Sequence, residues 1–243
     1  MTRRLMSSLC AIGVIAGFVA TPTASAQQVI NFYVGGFIPH GYSSRGTDDV
    51  LYQDAFDTVN PLSFNLRDFN GATAGAEYLV GLGDLFDAGL GVGFYSRSAP
   101  ATNLLYVNSN GTEIVSQLGL RIVPFTATFR YLPLGHHDAF VPYIGAGVGI
   151  FNWRYTESGN FASDPDSHGN VNIFSGNFAG SGTAVGPVIL GGVRIPLGRK
   201  GSGVGGEIRY QNAKGSLPSD QSFAGPKIDL GGFNYLFTVA LGF

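Results

Sequence analysis

Five ionisable residues, Glu77, Arg130, Arg194, Glu207 and Arg209, stand in stretches where apolar residues recur at every second position, and each takes the opposite phase. A period of two is that of a β-strand, whose side chains point alternately to its two faces. Carboxylates and guanidiniums on one face of several strands have two uses. They can form a gate or line a charge-selective pore, or they can pair with one another as a structural ion network. An unpaired charge kept from water is costly, which favours pairing wherever the shared face is enclosed.

Other chemistry is poorly supported. His40, His136, His137 and His168 fall in loops or a turn, none beside a strand serine, as a nucleophile and base would require. The adjacent pair His136-His137 cannot place both rings on one strand face, so no metal site is expected. Asp48-Asp49 and Asp164-Pro165-Asp166 read as solvated loop charge, with weak calcium binding or an approach to divalent-bridged lipopolysaccharide as the alternative. Gly201-Ser202-Gly203-Val204-Gly205-Gly206 does not lead from a strand into a helix, which excludes a nucleotide loop. No cofactor is implied. A net charge of −2 gives no reason to expect a nucleic-acid partner, and removing Arg3 and Arg4 with a leader makes the chain more acidic.

The elements that position the charges are strands. The last is the clearest: Phe233, Tyr235, Phe237, Val239, Leu241 and Phe243 alternate with Gly232, Asn234, Leu236, Thr238, Ala240 and Gly242. Similar alternation predicts strands over about 29–37, 71–80, 88–96, 118–132, 139–153, 183–197 and 204–212, with a local bulge at Pro124. The count is about eight, and the connections alternate long and short. The long ones, about 39–70, 97–117, 154–182 and 214–227, are rich in polar residues and glycine; Asn108-Ser109-Asn110-Gly111 has the form of a hairpin tip whose flanking strands extend past any membrane.

The 37 glycines and 19 phenylalanines of the 243 residues disfavour helix and favour strand. The non-apolar phase is mostly Gly, Ala and Thr with sparse charge, whereas a soluble lipocalin-like barrel would carry Lys, Glu, Asp and Arg on its outer face. The reading is therefore an all-β, transmembrane, antiparallel up-and-down barrel with long extracellular loops, short periplasmic turns and both termini in the periplasm. Trp153 and the tyrosines Tyr33, Tyr78, Tyr95, Tyr131 and Tyr235 are expected at the lipid–water boundary where they do not turn inward.

Ahead of the barrel, Arg3 and Arg4, the apolar run 5–20 and Ala24-Ser25-Ala26 make a secretory signal. Cleavage is expected after Ala26, giving a leader over 1–26 and one barrel domain over 27–243. A membrane anchor is the alternative, but the run is short for one. Cys10, the only cysteine, leaves with the leader, so neither disulfide nor thiolate chemistry remains.

The A-x-A signal, the strand Pro142-Tyr143-Ile144-Gly145-Ala146-Gly147-Val148-Gly149 and the ending Tyr235-x-Phe237-x-Val239-x-Leu241-x-Phe243 resemble the outer-membrane β-barrel superfamily of small porin-like proteins, the OmpA/OmpX type. The resemblance spans essentially all of 27–243. It implies residence in the cell outer membrane among lipid and lipopolysaccharide. It also implies that Tyr235, Phe237, Val239, Leu241 and Phe243 form the signal read by the barrel-assembly machinery. Glu207-Ile208-Arg209-Tyr210-Gln211-Asn212-Ala213 faintly resembles a strand of the lipid A 3-O-deacylases. Where that family has His-x-Ser-Asn, this chain lacks both base and nucleophile, so no catalytic role carries over. The expected function is a monomeric barrel with a structural or surface-interaction role and a lumen filled by side chains. A small-solute channel is the alternative, followed by adhesion and lipid A modification.

Overall fold

The computed structural model describes residues 27–136, 138–198 and 201–243. The expected leader, with Ala24 and Ala26 of its cleavage site, lies outside them, as do His137, Arg199 and Lys200. In chain order the elements are β1 (Gln28–Pro39), α1 (Val50–Phe56), β2 (Leu62–Ser63), β3 (Gly71–Gly81), β4 (Phe86–Val107), β5 (Glu113–Tyr131), β6 (Val141–Ala162), β7 (Ile173–Pro196), β8 (Gly203–Gln211), β9 (Lys214–Ser216), β10 (Lys227–Asp229) and β11 (Gly232–Gly242).

Among the described residues, eight strands form a closed antiparallel ring, β1-β3-β4-β5-β6-β7-β8-β11 and back to β1. Neighbours in the ring are neighbours in sequence, which is an up-and-down barrel. The terminal strand closes it, pairing Val29 with Gly242 on one side and Gly232 with Gln211 on the other. Closure leaves no long edge of unpaired backbone groups, the condition for a sheet to stand in hydrocarbon. Among the described residues no helix is long and apolar enough to cross a membrane.

Alternation sorts the two faces as the sequence requires. Phe32, Leu90, Phe94, Ile144, Val148, Val185, Ile189, Ile208, Phe237 and Leu241 all point outward and are exposed. Together they make an apolar belt. The belt ends sharply on β6, where the outward row runs Ile144, Ala146, Val148 and Ile150 and then turns polar at Asn152, Arg154, Thr156 and Ser158. On β5 the same edge falls between Val123 and Arg121. An uninterrupted apolar surface around a closed sheet is a surface for lipid, and the polar rows above it are for water.

Two expectations need correction. The stretch 154–182 is mostly not a loop: β6 and β7 pair continuously from Val141 with Arg194 to Ala162 with Ile173, and only residues 163–172 connect them. The alternation was hidden because, above the belt, the outward phase meets water and loses its apolar residues. Pro124 makes no bulge. The β4–β5 register is the same on both sides of it, with Val92 opposite Phe125 and Tyr95 opposite Ile122, and the irregularity lies instead between Thr102 and Val107. A proline costs the ladder its one N–H donor there without adding a residue. The Asn108–Gly111 tip does turn as a hairpin, with Gly111 at φ +80° and the Asn108 N–H donating to Thr112 O at 2.8 Å.

Candidate functional site

Four of the five charged residues meet in the lumen. Glu77 from β3, Arg130 from β5, and Glu207 and Arg209 from β8 reach one another across the interior, and none is more than 4% exposed. Arg130 Nη2 donates to Glu77 and, at 2.9 Å, to Glu207 Oε2. Arg209 Nε donates to Glu207 Oε1 at 2.9 Å, and its Nη2 reaches Glu77 Oε2 at 3.2 Å. Thr128 Oγ1 and the Tyr143 hydroxyl supply further donors to Glu77 and Glu207 at 2.7 and 3.1 Å. Two carboxylates and two guanidiniums cancel, and each guanidinium also lies over a ring, Arg130 on Tyr143 and Arg209 on Tyr33.

Glycine makes room for this tetrad. A Cβ on Gly89 would lie 2.6 Å from Glu77 Oε1 and 2.7 Å from Thr128 Oγ1, and one on Gly145 would crowd the Arg130 stem. A narrow eight-stranded lumen holds side chains rather than a channel, so each large polar residue needs a small one opposite.

Arg194 does not join the tetrad. It lies nearer the short-turn end, where its Nη2 is 3.2 Å from His136 Nδ1 and His136 Nε2 is 3.2 Å from Asp87 Oδ1. The register puts Asp87 opposite Arg130, so the two clusters are adjacent but separate. His136, read from sequence as a turn residue, is therefore an inner-rim partner.

The outer half of the lumen is closed by a cap that sequence reasoning missed. Val50 and Leu51 of α1, Phe69, Ile228 and Leu230 pack on inward residues of the long strands, among them Tyr95, Leu118, Ile122, Phe151, Trp153 and Tyr155. Trp153, expected at the lipid boundary, points inward and is 1% exposed; Tyr33 and Tyr95 also turn inward. The indole lies on Gly215, where an added Cβ would come within 2.4 Å of its ring.

Asp49 pins the cap. Its carboxylate caps α1 through the Tyr52 N–H at 3.2 Å, accepts from Arg45 Nη1 at 2.9 Å and accepts from the Asp229 N–H at 2.6 Å. Asp229 in turn is 3.1 Å from His40 Nδ1. Burial raises the Asp49 carboxyl above its ordinary value, with the Arg45 guanidinium opposing that shift. Asp49 is thus not the solvated charge read from sequence, whereas Asp48 beside it is, paired at the surface with Lys227 at 2.8 Å. The signal that could have found it is an aspartate directly before an apolar helical run, Val50-Leu51-Tyr52-Gln53-Asp54-Ala55-Phe56.

Between tetrad and cap, Thr73, Thr126, Gln211 and Asn234 border an enclosed space of about 10 Å³, room for a single water at most. Among the described residues the lumen holds ion pairs at mid-height, polar side chains above them and an apolar plug at the outer mouth.

The terminal residues Tyr235, Phe237, Leu241 and Phe243 all face outward, with Val239 in the same phase and half-buried. The Phe243 N–H donates to Gln28 O at 3.1 Å, which ties the end of β11 to the start of β1.

No protein-family description and no curated protein matches the sequence. Among solved structures, the outer membrane protein OprG of Pseudomonas aeruginosa is similar at 13% identity and a TM-score of 0.48, over 89% of this chain and 96% of that one. Neisserial surface protein A is similar at 12% identity and a TM-score of 0.44, over 89% and 96%. The N-terminal β-barrel domain of Pseudomonas aeruginosa OprF follows at 10% and 0.40, over 90% and 98%. At such values the likeness is one of overall form and assigns no role. The chain's own geometry carries the architecture: a transmembrane eight-stranded barrel of the outer-membrane type.

Proposed function

We propose that the chain is an integral outer-membrane protein that presents a rigid cap and long strand hairpins at the cell surface and conducts no solute. The observation that carries this reading is the filling of the lumen, above all the neutral tetrad of Glu77, Arg130, Glu207 and Arg209. A barrel that moves solutes leaves a water path with charges along its wall; here the charges are spent on one another. On this reading the role is a non-catalytic one.

The outer wall supports a lipopolysaccharide contact. Arg121 and Arg154 are directly opposed across β5 and β6 on the outward face, just above the apolar belt. Like charges so placed repel unless an anion lies between them. That anion is, on this reading, a phosphate of an outer-leaflet lipid. On this reading residues 1–26 are a cleaved leader, the mature barrel is a monomer, and Tyr235 to Phe243 carry the assembly signal.

Planar-bilayer recording tests the closed lumen. Wild-type protein is expected to give no reproducible conductance; a steady conductance that changes when Glu207 or Arg194 is replaced would establish the channel alternative instead.

A further inference from the structure

At the outer end of the barrel, beside the cap and separate from the lumen tetrad, a cavity of about 330 Å³ opens to solvent. Its volume is at the lower end of the range for small-molecule sites. Its charge has one sign. Asp54 from α1, Glu157 from β6 and the loop residues Asp57 and Asp164 line it, and no Lys, Arg or His does. The rest of the wall is mixed, with Asn60, Asn103, Asn160, Ser163 and Ser222 beside an aromatic cluster. Phe161 sits edge-on to Phe178 at 5.3 Å and tilted against Phe174 at 6.1 Å, with Leu62 and Ile114 nearby.

An acidic lining alone would be a hydrated mouth. The side chain that makes it more is Glu157, which is 4% exposed and whose Oε1 is buried with no hydrogen-bond partner. A buried carboxylate oxygen without a donor is costly, and it contrasts with the lumen carboxylates Glu77 and Glu207, which are well matched. Its neighbour Asp54 is also buried and receives a single long bond, from the Tyr155 hydroxyl at 3.4 Å. What this buried pair lacks is a positive charge.

We propose that this cavity binds a small organic cation, a primary ammonium or guanidinium carried on an apolar body. The cationic head donates to Glu157 Oε1 and Asp54, and the body lies against Phe161, Phe174 and Phe178, whose ring faces favour a nearby positive charge. Among the described residues no three His, Cys, Asp or Glu side chains converge at metal-binding distance, so a bare metal ion fits less well than a cation with its own apolar surface. The inference does not depend on whether the lumen conducts.

The site has a pH signature. Burial raises Glu157 to about 7, and burial, followed by the charge of Glu157, raises Asp54 well above the carboxylate range. The other ionisable groups acting on the pair are Tyr155 on β6, Asp49 at the start of α1 and Asp57 at its end, with Asp164 on the facing loop. None brings a positive charge. A bound cation therefore displaces protons, and binding tightens as pH rises through about 7.

Calorimetric titration of the folded full-length barrel with 2-phenylethylammonium chloride tests this, with neutral 2-phenylethanol as the isostere. Saturable one-to-one binding is expected, at least roughly tenfold tighter near pH 8 than near pH 5.5. It should be accompanied by proton release, seen as a buffer-dependent heat, and 2-phenylethanol should not bind. Glu157→Gln should weaken binding by about tenfold or more, while Asp138→Asn, an exposed carboxylate on the short β5–β6 turn at the other end of the barrel, should not change it. If Glu157→Gln fails to fold, the proton release of the wild type decides alone. Equal binding of the alcohol, unchanged affinity in Glu157→Gln, no proton release or no saturable heat would each overturn the proposal.

Discussion

Replacing Glu207 with Gln removes the most heavily used carboxylate in the lumen while keeping its shape. Glu207 accepts from Arg130 Nη2 at 2.9 Å, from Arg209 Nε at 2.9 Å and from the Tyr143 hydroxyl at 3.1 Å, and lies 2.7 Å from Arg209 Nη2. A glutamine keeps one acceptor oxygen but turns an NH₂ toward groups that are themselves donors. Two guanidiniums then face Glu77 alone, leaving one buried positive charge uncompensated. Breaking a buried pair from one side costs about 3–5 kcal/mol. Adding Arg209→Gln restores neutrality around the surviving Glu77–Arg130 pair, and the double variant is expected to recover about half of the loss or more. Urea unfolding in lipid vesicles can follow the emission of Trp153, the only tryptophan in the chain, with heat-modifiable electrophoretic migration reporting barrel closure. A loss under about 1 kcal/mol for Glu207→Gln, or a double variant no better than the single one, would refute the view that the tetrad is a matched structural unit.

Deleting Phe243 should lower the yield of folded, heat-modifiable barrel at the outer membrane, because it removes an outward aromatic and the N–H that bonds Gln28 O; unchanged assembly would count against a terminal signal. Gly215→Val should displace the Trp153 indole, since even its Cβ would fall 2.4 Å from the ring, and the expected readout is a red-shifted emission in folded protein. Glu157 is raised from 4.5 in the unfolded chain to about 7 in the fold, so the folded state binds more protons across that window and stability falls as pH rises through it. Glu157→Gln should reduce that fall and raise stability to urea above wild type near pH 8, by up to about 3 kcal/mol, whereas a wild-type midpoint flat between pH 5 and pH 8 would contradict it.

The barrel was legible in the sequence because lipid imposes an apolar residue at every second position, and β1, β3, β8 and β11 fall almost where that pattern puts them. The upper halves of β6 and β7 were not. Asn152, Arg154, Thr156 and Ser158 alternate with Phe151, Trp153, Tyr155 and Glu157, so the period survives, but its apolar phase has moved to the inner face. A reading keyed to an apolar outer face stops at the membrane edge and sees a loop. The inward charges could be picked out one by one because each breaks a small-residue phase. Which of them meet depends on strand stagger, and that is how Arg194 falls to His136 and Asp87 while the other four converge. The cap was the hardest to see, since it is built by non-local packing of α1 and the β9–β10 hairpin, elements too short to leave a pattern.

Charge matching separates the two ends of the molecule. In the lumen two carboxylates meet two guanidiniums, every carboxylate has donors, and the glycines opposite hold the geometry; such a set has little left with which to bind a solute. At the outer end Asp54 and Glu157 are buried together with no cation and one oxygen unbonded, although Arg45 is spent nearby on Asp49. Folding alone would favour an apolar residue in place of Glu157, as the neighbouring phenylalanines show that the site tolerates. A buried group that costs stability and is left unmatched is where interaction with something outside the chain has most to gain. The electrostatics thus point away from transport through the barrel and toward recognition at its outer surface.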